Sequence, residues 1–161
     1  MTDASDAQRK KLLIVFHSRS GSTAALRDAV VAGAIEGGGD NVEHKVLHAF
    51  DADVDDVLWA DALIMGTPAN FGYMSGALKD FFERIYHRCL DLTVGRPYAL
   101  FVKGDTDAAG AVTSVERIVA GLRWRAVLPP LVVVGEVKPT DLEQAEELGA
   151  TLAAGLDAGI F

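Results

Sequence analysis

The feature that most constrains the fold of this chain is a regular alternation of short apolar runs with longer amphipathic segments. Residues 12–16, 62–65, 97–102 and 131–134 are continuous apolar runs of strand length, and residues 42–47 form a weaker alternating run typical of an edge strand. Each run is followed by a segment with helical periodicity. The alternation predicts an α/β fold in which a parallel sheet is covered by helices on both faces.

Five segments carry the helical pattern: residues 24–37, 53–59, 75–88, 112–122 and 142–156. The 75–88 segment is the clearest, because Leu78, Phe81, Phe82 and Ile85 follow the i, i+3, i+4, i+7 spacing of one helix face. Asp53 is a predicted N-cap of the second segment. Five strands alternating with five helices predict a three-layer α/β/α sandwich.

Length and composition are those of one folded domain. The 161 residues are 50% hydrophobic and 24% charged, so we expect residues 1–10 to be a flexible N-terminal segment and residues 11–161 to form a single domain. The only cysteine, Cys89, excludes an internal disulfide and suits a reducing cytoplasm. No apolar run has transmembrane length and no leader pattern opens the chain, which predicts a cytoplasmic protein without membrane insertion.

The net charge of −8 restricts the partners of the protein. A chain this acidic repels nucleic acid and anionic membrane surfaces, so we expect small molecules or basic proteins instead.

A hydroxyl-rich hexapeptide joins the first predicted strand to the first helix. First-turn amides lack intrahelical acceptors and lie at the positive end of the helix dipole, so they form a cradle for an anion. A helix cap alone would use one such residue, whereas this loop supplies four hydroxyls and a glycine that lets the backbone approach a ligand. We therefore predict a phosphate site formed by Ser18, Arg19, Ser20, Gly21, Ser22 and Thr23.

Three predicted loops follow strands: residues 17–23, 67–74 and 103–109. In open parallel sheets, ligands bind at the carboxyl ends of the strands where the strand order reverses. We therefore expect the three loops to converge on one site, in a sheet with the strand order 2-1-3-4-5.

The order of these motifs resembles that of flavodoxin-like proteins, and most closely the NAD(P)H-dependent FMN reductases and quinone oxidoreductases of flavodoxin-like fold. The first motif is the hexapeptide at 18–23. The second is more specific: Gly66-Thr67-Pro68, then Phe71-Gly72, then Met74-Ser75-Gly76 at the start of a helix. The resemblance covers residues 11–156.

The resemblance implies FMN as cofactor, with NAD(P)H as a co-substrate. It assigns the FMN phosphate to Ser18, Ser20, Ser22 and Thr23 and the third loop to the remaining ring edge. No catalytic side chain is implied, because the flavin carries the chemistry. The ring and ribityl positions are Thr67, Pro68, Ala69, Asn70, Phe71, Gly72 and Tyr73, and the third-loop positions are Gly104, Asp105 and Thr106.

The third loop departs from many flavodoxins, because residues 104–110 contain no aromatic side chain to cover the ring. An open flavin face admits a nicotinamide or a quinone, which favours an oxidoreductase that passes electrons from NAD(P)H to a flavin or quinone acceptor. Against this, the phosphates of a dinucleotide meet few basic residues beyond Arg19, Lys103, Arg84 and Arg88. The resemblance also implies a homodimer or tetramer.

Two alternatives remain open. The first is a flavodoxin-type carrier that passes electrons to a redox protein without nicotinamide activity. The second is a sugar-phosphate-binding domain of the isomerase type, which would explain residues 18–23 but not residues 66–76.

Other reactive side chains are less informative. Cys89 and Arg96 are one residue too far apart for a phosphatase loop, and a packed helix cysteine is the preferred interpretation. His44 and His48 lack the further ligands of a metal site, so no metal is expected. His17 is expected to be a packed or hydrogen-bonded loop residue.

Overall fold

The computed structural model describes residues 9–18 and 21–161, which form an open sheet with helices on both faces. Arg19, Ser20 and most of the N-terminal segment predicted at 1–10 lie outside the described residues. The strands are β1 (Lys10–Phe16), β2 (Val42–His48), β3 (Ala62–Asn70), β4 (Tyr73–Met74), β5 (Pro97–Gly104), β6 (Arg125–Ala126) and β7 (Leu131–Val134). The helices are α1 (Gly21–Gly38), α2 (Val54–Trp59), α3 (Gly76–Cys89), α4 (Ala109–Gly121) and α5 (Pro139–Asp157).

The parallel strands run in the order β2-β1-β3-β5, and β6 and β7 both pair with the outer side of β5. Together β6 and β7 form one interrupted fifth strand, with Pro129 and Pro130 in the gap between them. Prolines cannot donate to a sheet ladder, which explains the interruption. The predicted order 2-1-3-4-5 is confirmed, with β5 as its fourth strand.

Two apolar cores lie on opposite faces of the sheet. Leu13, Val15 and Met65 point toward α2, α3 and α4, whereas Leu12 and Ile64 point toward α1 and α5. Successive residues of a strand alternate between faces, so a strand buried on both sides must be apolar throughout. Burial of the sheet on both faces therefore accounts for the continuous apolar runs in the sequence.

Side chains cap the starts of α2 and α3, and the prediction of Asp53 as a cap is confirmed. Asp53 is the N-cap of α2, and its backbone N–H donates to the Asp56 carboxylate at 2.9 Å. Ser75 caps α3 and accepts the Leu78 N–H at 3.2 Å. None of the helices in the described ranges is long and apolar enough to cross a bilayer.

One strand boundary was predicted incorrectly. The third strand is predicted at residues 62–65 with a loop at 67–74, but β3 continues to Asn70 and pairs there with β4, which the sequence pattern does not indicate. The pairing of β1 with β3 ends at Gly66, while β5 remains paired as far as Pro68. A strand with one open side tolerates a residue that lacks an N–H, so Pro68 does not break it.

Helices α1 and α5 pack at backbone distance. A Cβ built on Gly149 would overlap the Val30 carbonyl, and one on Gly33 would overlap the Glu146 carbonyl. Glycine is required on both helices because a side chain at either position would force the helices apart.

Gly149→Ala should therefore destabilise the fold by about 1–3 kcal/mol, the usual cost of overpacking a rigid contact. The free energy of unfolding from urea denaturation measures this. Gly76→Ala is the matched control: it is also helical, but a Cβ there meets nothing within 4 Å, so it should be neutral or slightly stabilising. Equal stability of the two variants would contradict the close helix contact.

Candidate functional site

The carboxyl ends of β1, β3 and β5 lie at one edge of the sheet because the three strands are parallel and in register. Phe16 pairs with Gly66, and Pro68 pairs with Lys103. The backbone N–H of His17 donates to the Gly66 carbonyl at 3.0 Å, which ties the first loop to β3. The three predicted loops therefore follow neighbouring strands at the same edge.

The first loop ends where α1 begins, at Gly21. Ser22 and Thr23 are in the first turn, with Ser22 half-buried and Thr23 buried, and this turn carries no acidic side chain. A Cβ built on Gly21 would meet nothing within 4 Å, so the backbone here is open to approach. A helix N-terminus whose first turn has hydroxyls and no carboxylate fits a phosphate group. Ser18 precedes it, and Arg19 and Ser20 are outside the described residues.

The second loop is a β-hairpin formed by the end of β3 and by β4. Ala69 pairs with Met74 and Asn70 with Tyr73, which leaves Phe71 and Gly72 as the turn. Both turn residues have positive φ, 52° and 72°. The hairpin makes Phe71 fully exposed and Tyr73 partly exposed.

Phe71 combines two unfavourable features. A left-handed backbone is uncommon for a bulky residue, and its ring gains no burial within the described chain. Strain of this kind, of order 1–3 kcal/mol, is concentrated at ligand sites, where the surrounding structure holds it in place. A flat apolar ring above the turn is the kind of ligand that fits this surface.

Thr67 lies beneath the hairpin rather than on its surface. Its side chain is fully buried. Its hydroxyl donates to the Pro68 carbonyl at 2.8 Å and accepts the Ser75 N–H at 3.0 Å. The hydroxyl therefore joins the two ends of the segment that carries Asn70 to Tyr73.

The third loop turns tightly after β5. A Cβ on Gly104 would overlap the Asp107 carbonyl, and the Gly104 carbonyl accepts the Gly135 N–H at 2.8 Å. Asp105 and Thr106 are exposed. Asp107 accepts the N–H of Ala109 at the start of α4. The loop thus presents small and polar groups beside the aromatic hairpin.

Lys103 and Arg84, two of the basic side chains considered for a dinucleotide, have partners in the chain. Lys103 is mostly buried and its Nζ lies 2.8 Å from the exposed Asp105 carboxylate, which holds the pKa of Asp105 below its usual value. Arg84 donates to the Ala49 and Ala52 carbonyls, each at 2.7 Å, and also pairs with Asp80. Arg84 thus stabilises the loop that follows β2 by hydrogen bonding to its backbone carbonyls.

Cys89 and His44, for which no reactive role is expected, have contacts that suit structural roles. Cys89 is buried, and burial raises the pKa of its thiol, which disfavours a thiolate nucleophile. His44 Nε2 lies 3.2 Å from the Ala34 carbonyl. Within the described ranges, no group of three or more His, Cys, Asp or Glu side chains is arranged to hold a metal ion.

Two residues of α4 touch the hairpin, and the sequence patterns did not select them. Ser114 Oγ accepts the Met74 N–H at 3.1 Å, and Gly110 packs against Gly72. A signal for Ser114 was present, because it is a polar residue between Ala111 and Val115 on the buried face of α4.

Comparison with known proteins agrees with this geometry. The sequence profile described as NADPH-dependent FMN reductase matches residues 43–138, more than half of the chain. The chain belongs to the NADPH-dependent FMN reductase family. This membership confirms the flavodoxin-like resemblance and the expectation of FMN as cofactor, and it favours the flavin interpretation over the sugar-phosphate alternative.

Individual relatives include proteins named flavodoxin and proteins named NAD(P)H dehydrogenase (quinone). A flavodoxin from Aquifex aeolicus is 37% identical over 77 residues, which are 47% of this chain and only 40% of the relative. An NAD(P)H dehydrogenase (quinone) from Solidesulfovibrio magneticus is 24% identical over 91% of this chain and 85% of its own length. The structure of a flavodoxin from the domain Archaea matches with a TM-score of 0.78 at 20% identity, over 91% of this chain and 98% of that chain.

Thr67→Val should destabilise the protein by about 1–3 kcal/mol, because it leaves the buried Ser75 N–H without an acceptor while conserving side-chain shape. Thr67→Ser, which keeps the hydroxyl, is the control and should lose much less. Urea denaturation of the two variants distinguishes them. A valine variant as stable as the serine variant would show that the Ser75 N–H does not depend on this hydroxyl.

Proposed function

We propose that this protein is an oxidoreductase that uses FMN to pass electrons from NAD(P)H to a flavin or quinone acceptor. The observation that carries the proposal is the third loop, where Asp105 and Thr106 are exposed and no aromatic side chain is available to cover a flavin. Aromatic surface comes from Phe71 and Tyr73 of the hairpin. A ring held from one side leaves its other face open to a second flat molecule.

In this proposal the FMN phosphate lies at the start of α1. Gly21, Ser22 and Thr23 supply amides and hydroxyls, with Ser18, Arg19 and Ser20 as the preceding part of the cradle. The absence of acidic residues from the first turn of α1 supports this assignment, because a carboxylate there would repel a phosphate.

The isoalloxazine ring is assigned to the hairpin. Phe71 and Tyr73 would provide stacking surface, and Asn70 and the backbone of Pro68, Ala69 and Gly72 would provide polar contacts. Thr67 acts from beneath by fixing the segment. The third loop, Gly104 to Thr106, would border the remaining edge.

The chemistry that FMN supplies when bound is acceptance of a hydride and transfer of two electrons to an acceptor. The chain's own task is to orient the reactants, so no acid or base is assigned. Asp105 is not assigned as a proton donor, because Lys103 lowers its pKa and the side chain remains a carboxylate at neutral pH. The electron acceptor is then bound by shape and stacking.

A flavodoxin-type carrier is the second candidate. The similarity to the Aquifex aeolicus flavodoxin and the net charge of −8 both favour it, because an acidic surface attracts a basic redox partner. In that case the open flavin face would contact a protein rather than a nicotinamide.

The proposal includes a cytoplasmic setting and a homodimer or tetramer. The buried, unpaired Cys89 supports the first, because a reduced thiol suits a reducing compartment. A neighbouring subunit would also provide positive charge for a dinucleotide, since Lys103 and Arg84 are already engaged within this chain.

Anaerobic mixing of the FMN-loaded protein with NADH or NADPH tests the enzyme proposal. We expect loss of the visible absorption band of oxidised flavin with at least one nicotinamide, followed by recovery on addition of a quinone. FMN mixed with the nicotinamide without protein is the control. If both nicotinamides leave the band unchanged while a reductase protein bleaches it, the protein is a carrier.

Ser22→Asp tests the phosphate site separately. It should weaken FMN binding at least tenfold through repulsion of the phosphate, yet preserve or raise the melting temperature because an acidic residue suits the first turn of a helix. Riboflavin, which lacks the phosphate, is the control ligand and should bind both proteins equally. Unchanged FMN affinity, measured by fluorescence titration, would remove the phosphate from this end of α1.

A further inference from the structure

Helix α4 contacts the hairpin at two positions one turn apart, Gly110 and Ser114. The Ser114 hydroxyl donates to the Ala111 carbonyl at 2.8 Å and accepts the Met74 N–H at 3.1 Å. Ser114 and Met74 are both buried. The Ala111 bond fixes the hydroxyl hydrogen along its own helix, which directs a lone pair toward Met74.

The Met74 N–H has a specific need for this acceptor. β4 is only two residues long, and among the strands of residues 9–18 and 21–161 it pairs with β3 alone. A buried amide without an acceptor costs free energy comparable to a lost hydrogen bond. Ser114 thus provides the hydrogen-bond acceptor that a further strand beside β4 would otherwise provide.

Gly110 fixes the other end of the contact. A Cβ at this position would overlap the Gly72 carbonyl oxygen, which belongs to the turn. The helix backbone therefore lies directly against the positive-φ turn of Phe71 and Gly72. Because the obstructing atom is backbone, a side chain at residue 110 would displace the turn itself.

We infer that Ser114 and Gly110 are positioning residues that hold the hairpin in the orientation needed to bind the flavin ring. The inference rests on the proposed function and extends it to side chains that do not touch the ring. Since α4 begins directly after the third loop, the same helix also sets the spacing between the two loops that border the ring. The contact is therefore expected to affect the ring end of FMN and not its phosphate end.

Ser114→Ala tests this, with Thr113→Ala as the matched control. Thr113 is on the same helix, and its exposed hydroxyl donates only to the Ala109 carbonyl, at 3.0 Å. Dissociation constants for FMN and riboflavin are measured by fluorescence titration at a temperature where all variants are folded. We expect Ser114→Ala to weaken both ligands by the same factor, about five- to tenfold, the usual effect of one buried hydrogen bond. Thr113→Ala should bind both ligands like the unmodified protein.

A second variant and a second measurement keep the outcomes distinct. Gly110→Ala leaves the hydroxyl in place and should also weaken both ligands equally, while the increase in amide hydrogen exchange at Met74 should be larger in Ser114→Ala, which removes the acceptor itself. Lowered melting temperature with unchanged affinity for both flavins would show a structural role only and overturn the inference. If the unmodified protein binds neither flavin, the proposed function fails, and exchange at Met74 still reports whether Ser114 anchors the hairpin.

Discussion

The parallel register of β1, β3 and β5 is the constraint on which the rest of the site depends. Pairing of Phe16 with Gly66 and of Pro68 with Lys103 brings three loops to one edge of the sheet. The register is enforced from both faces, because a slip of one residue would move every apolar side chain of a strand into the opposite core. The same burial that stabilises the sheet therefore sets where the loops begin.

The hairpin is the part of the site that the sheet alone does not stabilise. A two-residue strand with a strained, exposed aromatic at its turn is marginal in isolation. Its hydrogen bonds are completed from below by Thr67 and from the side by Ser114. Two buried hydroxyls thus fix a segment whose outer surface remains uncovered, which is the arrangement required to present a rigid apolar surface to a ligand.

Sequence patterns predicted the elements whose signals are local and periodic. The α3 stripe, the Asp53 cap and the strand order followed from spacing, and the order became predictable once loops after strands were placed at one edge. The extension of β3 through Pro68 was missed because it depends on the neighbouring strand. Pairing with β1 ends at Gly66, so a residue without an N–H is tolerated at position 68. Gly110 and Ser114 were missed for a similar reason: their role lies in contacts with Gly72 and Met74, about 40 residues earlier in the chain. Such contacts leave no periodic signal.

The charge distribution has different consequences for binding the phosphate of a flavin and for binding a dinucleotide. At the sheet edge, Lys103 pairs with Asp105, and Arg27 pairs with Asp28 while its guanidinium lies 4.4 Å from the Phe16 ring centroid. Cations already engaged in this way add little net positive field, in a chain whose total charge is −8. Amides at the N-terminus of α1 remain effective because their dipoles are fixed and the first turn of that helix carries no carboxylate. The phosphate end can therefore be held by short-range donors, whereas a dinucleotide extending beyond the site must approach against the overall charge or meet cations from another subunit.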